Sequence, residues 1–418
     1  MAQTESILER RIEPRWVFAQ RPDTEHLEST KQALGVPTAL AKILINRNLS
    51  DVEQAKVFLY PSLDHLIDPF QMADMDAAVD RVWEAVDAGE KIMVHGDYDV
   101  DGVTGTSLLV RAFRALGVDV DFYIPNRLED GYGISKQGIE EGVRRGIGLL
   151  VSVDCGITAV QEVEYAQGKG LDVIITDHHQ PGTLPNALAV VNPKRQDCDY
   201  PFKELSGVAL AFKLAYAVYK KRDVDLAPVL DNLDLVALGC AADIVPLVDE
   251  NRVLVTYGLE RMYQTENLGL RALLENLGLK GGQLTTEKLI FVLAPRINAL
   301  GRMGSAMEAV TLLTTSDEEE AGRIARMLEK KNQMRRRIDE QMLQEALEQV
   351  ETHVHPDKDR AVVLASEDWH PGVIGIVATR IAEKVHLPTV MISVDGKSSK
   401  GSGRSIPGFD LYAALSRC

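Results

Sequence analysis

Between residues 76 and 177 the chain alternates short apolar runs with amphipathic stretches, and this alternation restricts the fold more than any other feature. The spacing predicts a helix over MDAAVDRVWEAVDAG, a strand over Ile92, Met93 and Val94, a helix from about Val103 to Leu116 and a strand in VDVDFYIPN. A helix near 135–144, a strand GLLVSVD, a helix TAVQEVEYAQGKG and a strand LDVIITD follow. Short apolar runs separated by helices are the pattern of a mainly parallel sheet covered on both faces, so the expected class is α/β with about five strands. In such sheets ligands bind beyond the carboxyl ends of the strands.

Those ends carry ionisable groups. In KIMVHGDYDVDG, His95, Asp97, Asp99 and Asp101 follow one another at intervals of two. Residues two apart on extended backbone face the same way, so all four can crowd one side of the strand end. Carboxylates held that close repel one another unless a cation sits among them. The competing reading is an ordinary loop, since Asp and Gly are common after a strand and DG is a turn signal. GLLVSVD ends on Asp154, and LDVIITD ends on Asp177, followed by His178 and His179. DNLDLVALGCAADIVPL reads as an apolar helix that delivers Asp243, either to a cation or donor or simply to water at a helix end.

His95, Asp99, Asp101, Asp154, His178 and Asp243 form an oxygen-and-imidazole set without a thiolate. Such ligands favour Mn²⁺ or Mg²⁺ over a closed structural zinc site. They are too many for one open catalytic ion and enough for two, which together can activate a water and neutralise an in-line displacement at phosphorus. Metal-assisted phosphoester hydrolysis is the expected chemistry.

A chain of 418 residues exceeds one typical core, and two domains with extensions are expected. Residues 1–75 read as a small helical leader packed on the main domain, with two helices in ALAKILINRNLSDVEQAKVFL broken near Asn48 and Ser50 as an N-cap. Residues 76–315 form the catalytic domain. Near its end EKLIFVLAPRINALGRMG places Arg296, Asn298 and Arg302 just after an apolar helix, where they suit a phosphate, a base edge or a helix C-terminus. Residues 316–352 read as one long connecting helix capped by Ser316, whose Arg335, Arg336 and Arg337 either line a nucleic-acid path or face solvent. Residues 353–418 restart an α/β pattern with strand AVVLASE, helix PGVIGIVATRIAEKV, strand TVMISVDG and a small-residue strand SKGSGRS, whose Arg404 and Ser405 supply donors. GKS at 396–398 is no phosphate-binding loop, because Met391 stands where its first glycine belongs. The chain stops in mid-helix at Cys418, and the second domain is expected to be truncated.

Composition narrows the class further. With 45% hydrophobic and 26% charged residues, the chain reads as an ordinary soluble protein. It has no apolar run of roughly 18 residues, and MAQTESILERRIEPRW lacks a secretion core, so a cytoplasmic protein without a membrane segment is expected. Its 4 cysteines are far apart with no CxxC and read as reduced thiols. A net charge of -16 argues against coating nucleic acid by bulk electrostatics but permits a local basic path to an acidic metal site.

HGDYDVDG, VSVDCG, TDHHQ and GCAADIVPL resemble the four successive motifs of the DHH phosphoesterase superfamily. APRINALGRM, SEDWHPGVIGIVATR and SKGSGRS resemble its branch that degrades single-stranded DNA from 5′ to 3′. The match runs from about residue 75 to the end, with the motifs in family order. The resemblance implies that His95, Asp99 and Asp154 hold one ion and that Asp101, Asp154, His178 and Asp243 hold the other, with Asp154 bridging. It implies that His179 touches the scissile phosphate and that Asp97 and Asp177 orient ligands. Arg127 in IPNRLEDGYG, with Ser402 and Arg404, would recognise a 5′-terminal phosphate, while Arg296, Asn298 and Arg302 line the strand. A groove between the domains would admit one strand and exclude a duplex.

The final segment corresponds to part of a DHHA1-type domain; the family's Gly-Gly-His motif and oligonucleotide-binding barrel would lie beyond Cys418. A monomer, with single-strand-binding protein and a helicase as partners, is implied. There are two alternatives: a phosphodiesterase for short oligonucleotides or cyclic dinucleotides, which would share the site, and, in a different class, a catalytically silent replication scaffold. Loss of ligands would mark the scaffold, and none is lost; the RINALGRM segment and the leader favour the exonuclease.

Overall fold

In a computed structural model of the chain, β1 (Lys91–Gly96), β2 (Val120–Tyr123), β3 (Ile147–Val153), β4 (Asp172–Thr176) and β5 (Ala189–Val191) form one parallel sheet. The structure describes residues 8, 15–19, 22–127, 130–279, 284–355, 358–396 and 398–418. Parts of three segments read above, MAQTESILERRIEPRW, IPNRLEDGYG and GKS, therefore lie outside the described residues.

The strand order is β2-β1-β3-β4-β5. The chain steps outward from β1 to β2, then returns to the other side of β1 and continues from β3 to β5. That reversal opens a crevice between β1 and β3 at their carboxyl ends. Gly96 pairs with Val153 there, so the segment after β1 and Asp154 after β3 start side by side.

Both faces of the sheet are covered. Ile92, Val94, Leu149, Val151, Val153 and Ile174 pack in one core with residues of the helices Met75–Ala88, Val100–Ala115 and Gly207–Lys221. Leu150, Val173 and Ile175 belong to a second core with Ile139 and Val163. This two-residue alternation between cores explains why the strands read as unbroken apolar runs. Each large side chain buried this way contributes about 1.5–3 kcal/mol.

Several local expectations need correction. The helix expected from Val103 begins at Val100, because Asp99 caps it by accepting from the N–H groups of Asp101 at 2.9 Å and Gly102 at 3.1 Å. Asp97 to Asp101 therefore do not prolong β1; capping outweighs extension. In the leader the helices Thr38–Asn46 and Val52–Leu59 break as expected, but Asp51 and not Ser50 is the cap, accepting from Gln54 N–H at 2.9 Å. Asp317 replaces Ser316 at the start of Glu318–His353 through the N–H of Glu319 at 2.9 Å. Arg296, Asn298 and Arg302 do not follow a helix but lie on one, Ala294–Met303, entered through a π-helical turn at Leu289–Leu293. β5 and the Gly207–Lys221 helix went unread, since three residues are too few for a period and a helix buried nearly all round has no polar stripe.

The chain divides into two compact units, Phe18–Leu328 and Glu329–Cys418 with Met1–Val17. In the smaller one, β6 (Val362–Ser366) runs parallel to β7 (Thr389–Ser393), which pairs antiparallel with β8 (Lys400–Arg404). The helix Ile374–Val385 packs on β7 and β8. Among the described residues no helix is long and apolar enough to cross a membrane.

The larger unit buries an ion pair. Lys213 and Glu250, each about 1% exposed in the side chain, bond to each other. Glu250 also accepts from Tyr200 Oη at 2.5 Å and from Ile67 N–H at 2.8 Å, tying the leader to two helices. Burial lowers the Lys213 pKa, so the ammonium depends on its partner. Lys213→Met strands the carboxylate and is expected to cost about 3–5 kcal/mol in urea unfolding, whereas Lys213→Met with Glu250→Leu recovers only part of that loss, because Tyr200 Oη and Ile67 N–H then lose their acceptor.

Candidate metal centre

Among the described residues, three overlapping groups of side chains converge at the β1/β3 crevice: Asp97, Asp99 and Asp154; Asp154, His178 and His179; and Asp101, His178 and Asp243. Within each group the potential ligand atoms all lie within 4.8 Å of one another. Asp154 and His178 each belong to two groups. His178 Nε2 stands 3.1 Å from Asp154 Oδ1, 3.6 Å from Asp243 Oδ2 and 3.9 Å from Asp101 Oδ2. Asp154 Oδ1 is buried yet makes no hydrogen bond, and the same holds for Asp97 Oδ1. Buried carboxylate oxygens without donors, aimed at a shared space beside an imidazole, fit hard divalent cations.

Backbone geometry holds these groups in place. Asp154 has φ 62, a left-handed conformation that Asp tolerates better than most residues. Asp101 sits against the start of the Gly207–Lys221 helix, its Oδ2 accepting from Gly207 N–H at 2.6 Å and its Oδ1 from Val208 N–H at 2.8 Å. A side chain at Gly207 is excluded, since its Cβ would come within 2.6 Å of Asp154 Cβ. The glycine in DVDG serves close approach as well: a Cβ on Gly102 would fall 2.5 Å from the Asp97 carbonyl oxygen. Neither role is a turn.

Asp177 faces His179 rather than the shared space. Its Oδ1 accepts from His179 N–H at 3.0 Å and pairs with His179 Nδ1 at 2.7 Å, while its Oδ2 accepts from Ile157 N–H at 2.9 Å. Asn192, fully buried, donates to the His179 carbonyl at 3.0 Å. Tyr132 sets its ring edge-on to His179 at 6.0 Å and donates to the Asp154 carbonyl at 3.3 Å. Gly207, Asn192 and Tyr132 were not expected from the sequence; Ser206, which caps the helix beginning at Gly207, is the kind of signal that could have marked the first of them. His95 stands outside the three groups. It is fully buried, packs on Tyr123 at 5.3 Å, and neither ring nitrogen has a hydrogen-bond partner.

Burial and mutual repulsion set the protonation pattern. Burial, then the neighbouring carboxylates, push Asp101 and Asp154 well above the usual carboxylate range. Burial and Asp99 push Asp97 up to about 8 and Asp243 to about 6. Burial lowers His95 and His178 to about 4, so both rings are neutral near pH 7 and able to ligate. His179 is raised by its bond to Asp177. Burial opposes ionisation of Asp177, but the His179 bond wins and holds it below its ordinary value.

The model of the DHH family, N-terminal domain, matches residues 91–240. The single-stranded-DNA-specific exonuclease RecJ of Escherichia coli strain K12 is 37% identical over 398 residues, covering 91% of this chain and 68% of the relative. The chain belongs to the RecJ family. RecJ of Bacillus subtilis strain 168 is 42% identical over 407 residues, 97% of this chain and 51% of the relative, so the chain spans about half the length of that protein. A crystal structure of RecJ in complex with Mn²⁺ from Thermus thermophilus superposes with a TM-score of 0.80 at 35% identity, covering 94% of this chain and 56% of that one.

In this RecJ-family chain the residues expected to meet a strand fall into both compact units. In the larger one the Arg127 guanidinium lies over the Tyr98 ring at 5.2 Å, and Tyr98 meets Tyr132 edge-on at 6.3 Å. The helix carrying Arg296, Asn298 and Arg302 approaches the same tyrosine, because a Cβ on Gly301 would lie 2.6 Å from the Tyr98 carbonyl oxygen. Arg296 Nη1 donates to Val292 O, 2.6 Å away in the π-helical turn that precedes its helix. Ser402, Arg404 and Ser405 belong to the smaller unit; Ser405 donates to Phe409 O at 2.5 Å.

Proposed function

We propose that the chain carries the catalytic part of an exonuclease that shortens single-stranded DNA from a 5′-phosphorylated end with two divalent ions, Mn²⁺ or Mg²⁺. The observation that carries this reading is the convergence of the three ligand groups, joined through Asp154 and His178, at the switch point of the sheet. The RecJ relatives supply the substrate class.

In this reading Asp99 and Asp154 hold one ion with His95, while Asp101, Asp154, His178 and Asp243 hold the other. Ions bound there supply Lewis-acid polarisation and neutralise the charge that builds up on a phosphodiester during in-line displacement. The chain does the rest. Asp177 keeps the His179 imidazole oriented and protonated more readily than usual, so His179 offers positive charge to the scissile phosphate. Asp97 lies among the ligand-capable groups and serves the first ion or its orientation. Arg296, Asn298 and Arg302 steady the strand, and Arg127, Ser402 and Arg404 receive its terminal phosphate. Such a reaction needs a free single strand, which makes a helicase and single-strand-binding protein the proposed partners.

A long 5′-phosphorylated single strand and a dinucleotide, each incubated with Mn²⁺, separate this reading from the short-substrate phosphodiesterase. Progressive shortening of the long strand is the expected result. Cleavage of the dinucleotide alone would sink the exonuclease reading.

A further inference from the structure

Along β8, Ser402 and Arg404 are two residues apart and so share one face, which lies against the helix Ile374–Val385. Gly403, between them, faces the other way, toward Leu411. Arg404 is held from this side: its Nε donates to Thr379 Oγ1 at 2.9 Å, and its Nη1 donates to Ser402 Oγ at 3.1 Å and to Gly403 O at 2.7 Å. Thr379 Oγ1 in turn donates to the carbonyl of Gly375 at 3.1 Å, one helical turn back.

The helix leaves room for this arrangement at one point. A Cβ on Gly375 would stand 2.9 Å from Ser402 Oγ and 3.0 Å from Arg404 Nη2. Gly375 has ordinary helical backbone and lies outside the left-handed glycines. Its lack of a side chain is therefore not required by the fold of its own turn. Gly375 is the second residue of the helix, where the backbone accepts alanine without strain, so a residue that the helix tolerates is the one that displaces the guanidinium.

We infer that Gly375 and Thr379 are positioning residues that set the Ser402 hydroxyl and the Arg404 guanidinium for the 5′-terminal phosphate and thereby fix the preference for phosphorylated ends. This rests on the proposed role of Ser402 and Arg404. Arg is flexible, and an arginine pre-oriented through Nε loses less freedom when it binds a phosphate than one free to rotate. Thr379 supplies that restraint, and Gly375 supplies the space.

The test compares one oligonucleotide bearing a 5′-phosphate or a 5′-hydroxyl, read as the ratio of kcat/KM values with KM and kcat determined separately. Thr379→Val keeps the shape and removes the hydroxyl; it is expected to lower the ratio about tenfold, through KM for the phosphorylated strand, as loss of an oriented charge-assisted hydrogen bond does. Thr379→Ser restores the ratio. Gly375→Ala lowers it by a similar factor without lowering Tm, a pairing that general damage to the domain cannot produce. Arg404→Ala tells the two ideas apart. If it leaves the ratio at the wild-type value, the assignment of Arg404 to the phosphate is wrong. If it removes the preference while Thr379→Val and Gly375→Ala keep it, the positioning inference is overturned.

Discussion

Asp154→Ala is expected to reduce kcat by about 10³-fold or more, because this carboxylate belongs to two of the three ligand groups and its loss opens both proposed ion sites at once. The fold should survive. Asp154 sits at the end of β3, outside both apolar cores, and its pKa is pushed up by burial and by Asp101 and Asp99. Removing one member of a repelling cluster relieves the metal-free protein, so Tm in chelator should fall by no more than corresponds to the cost of placing Ala in a left-handed conformation, about 1–2 kcal/mol. Asp154→Asn separates charge from backbone, since Asn accepts the left-handed conformation at φ 62 almost as well as Asp. Both variants should show the lost response to Mn²⁺ by calorimetry. Wild-type turnover in either one would remove the shared carboxylate from the mechanism.

The second large effect is the coupling of metal binding to pH. Asp97 titrates at about 8 in the fold against an ordinary 3.8, and Asp101 and Asp154 are also raised. A raised folded-state pKa means that the metal-free fold binds more protons than the unfolded chain above pH 3.8, so its stability falls as pH rises toward 8. His95 and His178, lowered to about 4 from 6.5, act in the opposite direction and cost stability as pH falls below 6.5. Divalent ions take the place of the carboxyl protons. Metal affinity should therefore rise with pH by on the order of tenfold per unit for each proton displaced, about 1.4 kcal/mol. The gain in Tm on adding Mn²⁺ is expected to grow steadily from about pH 6 to pH 8. A gain independent of pH over that range would show that the carboxylates are not proton-loaded in the metal-free protein.

Much of this centre was legible in the chain. Asp154, Asp177 and His178 were expected near the site because a parallel sheet places its site at the carboxyl ends of strands, and the structure brings Asp154 and His178 into one ligand-capable group while Asp177 bonds to His179. Asp243 was found because a carboxylate leaving an apolar helix needs a reason to be there. His95, Asp97, Asp99 and Asp101 were expected to crowd one side of an extended strand end, but the structure puts Asp97 and Asp99 in one ligand-capable group, Asp101 in another and His95 in none. Asp99 caps a helix instead, which turns Asp101 onto helical backbone and brings Asp97 into one ligand-capable group with Asp99 and Asp154, leaving His95 apart. Gly207 was out of reach, since what it touches lies far away in sequence: its N–H meets Asp101 across 106 positions.

The sequence by itself determined the alternation of strand and helix, the family to which the chain belongs, and the residue types available at each strand end. These are local properties, written in run length, period and motif. Only the tertiary structure decided which of them meet. The β1/β3 register sets Asp154 beside the segment after His95, the start of a buried helix holds Asp101 from below, and a glycine on the helix packed against β8 leaves room for the Arg404 guanidinium. Contacts of this kind join residues whose separation leaves no periodic trace in the chain, so packing, and not pattern, made the choice.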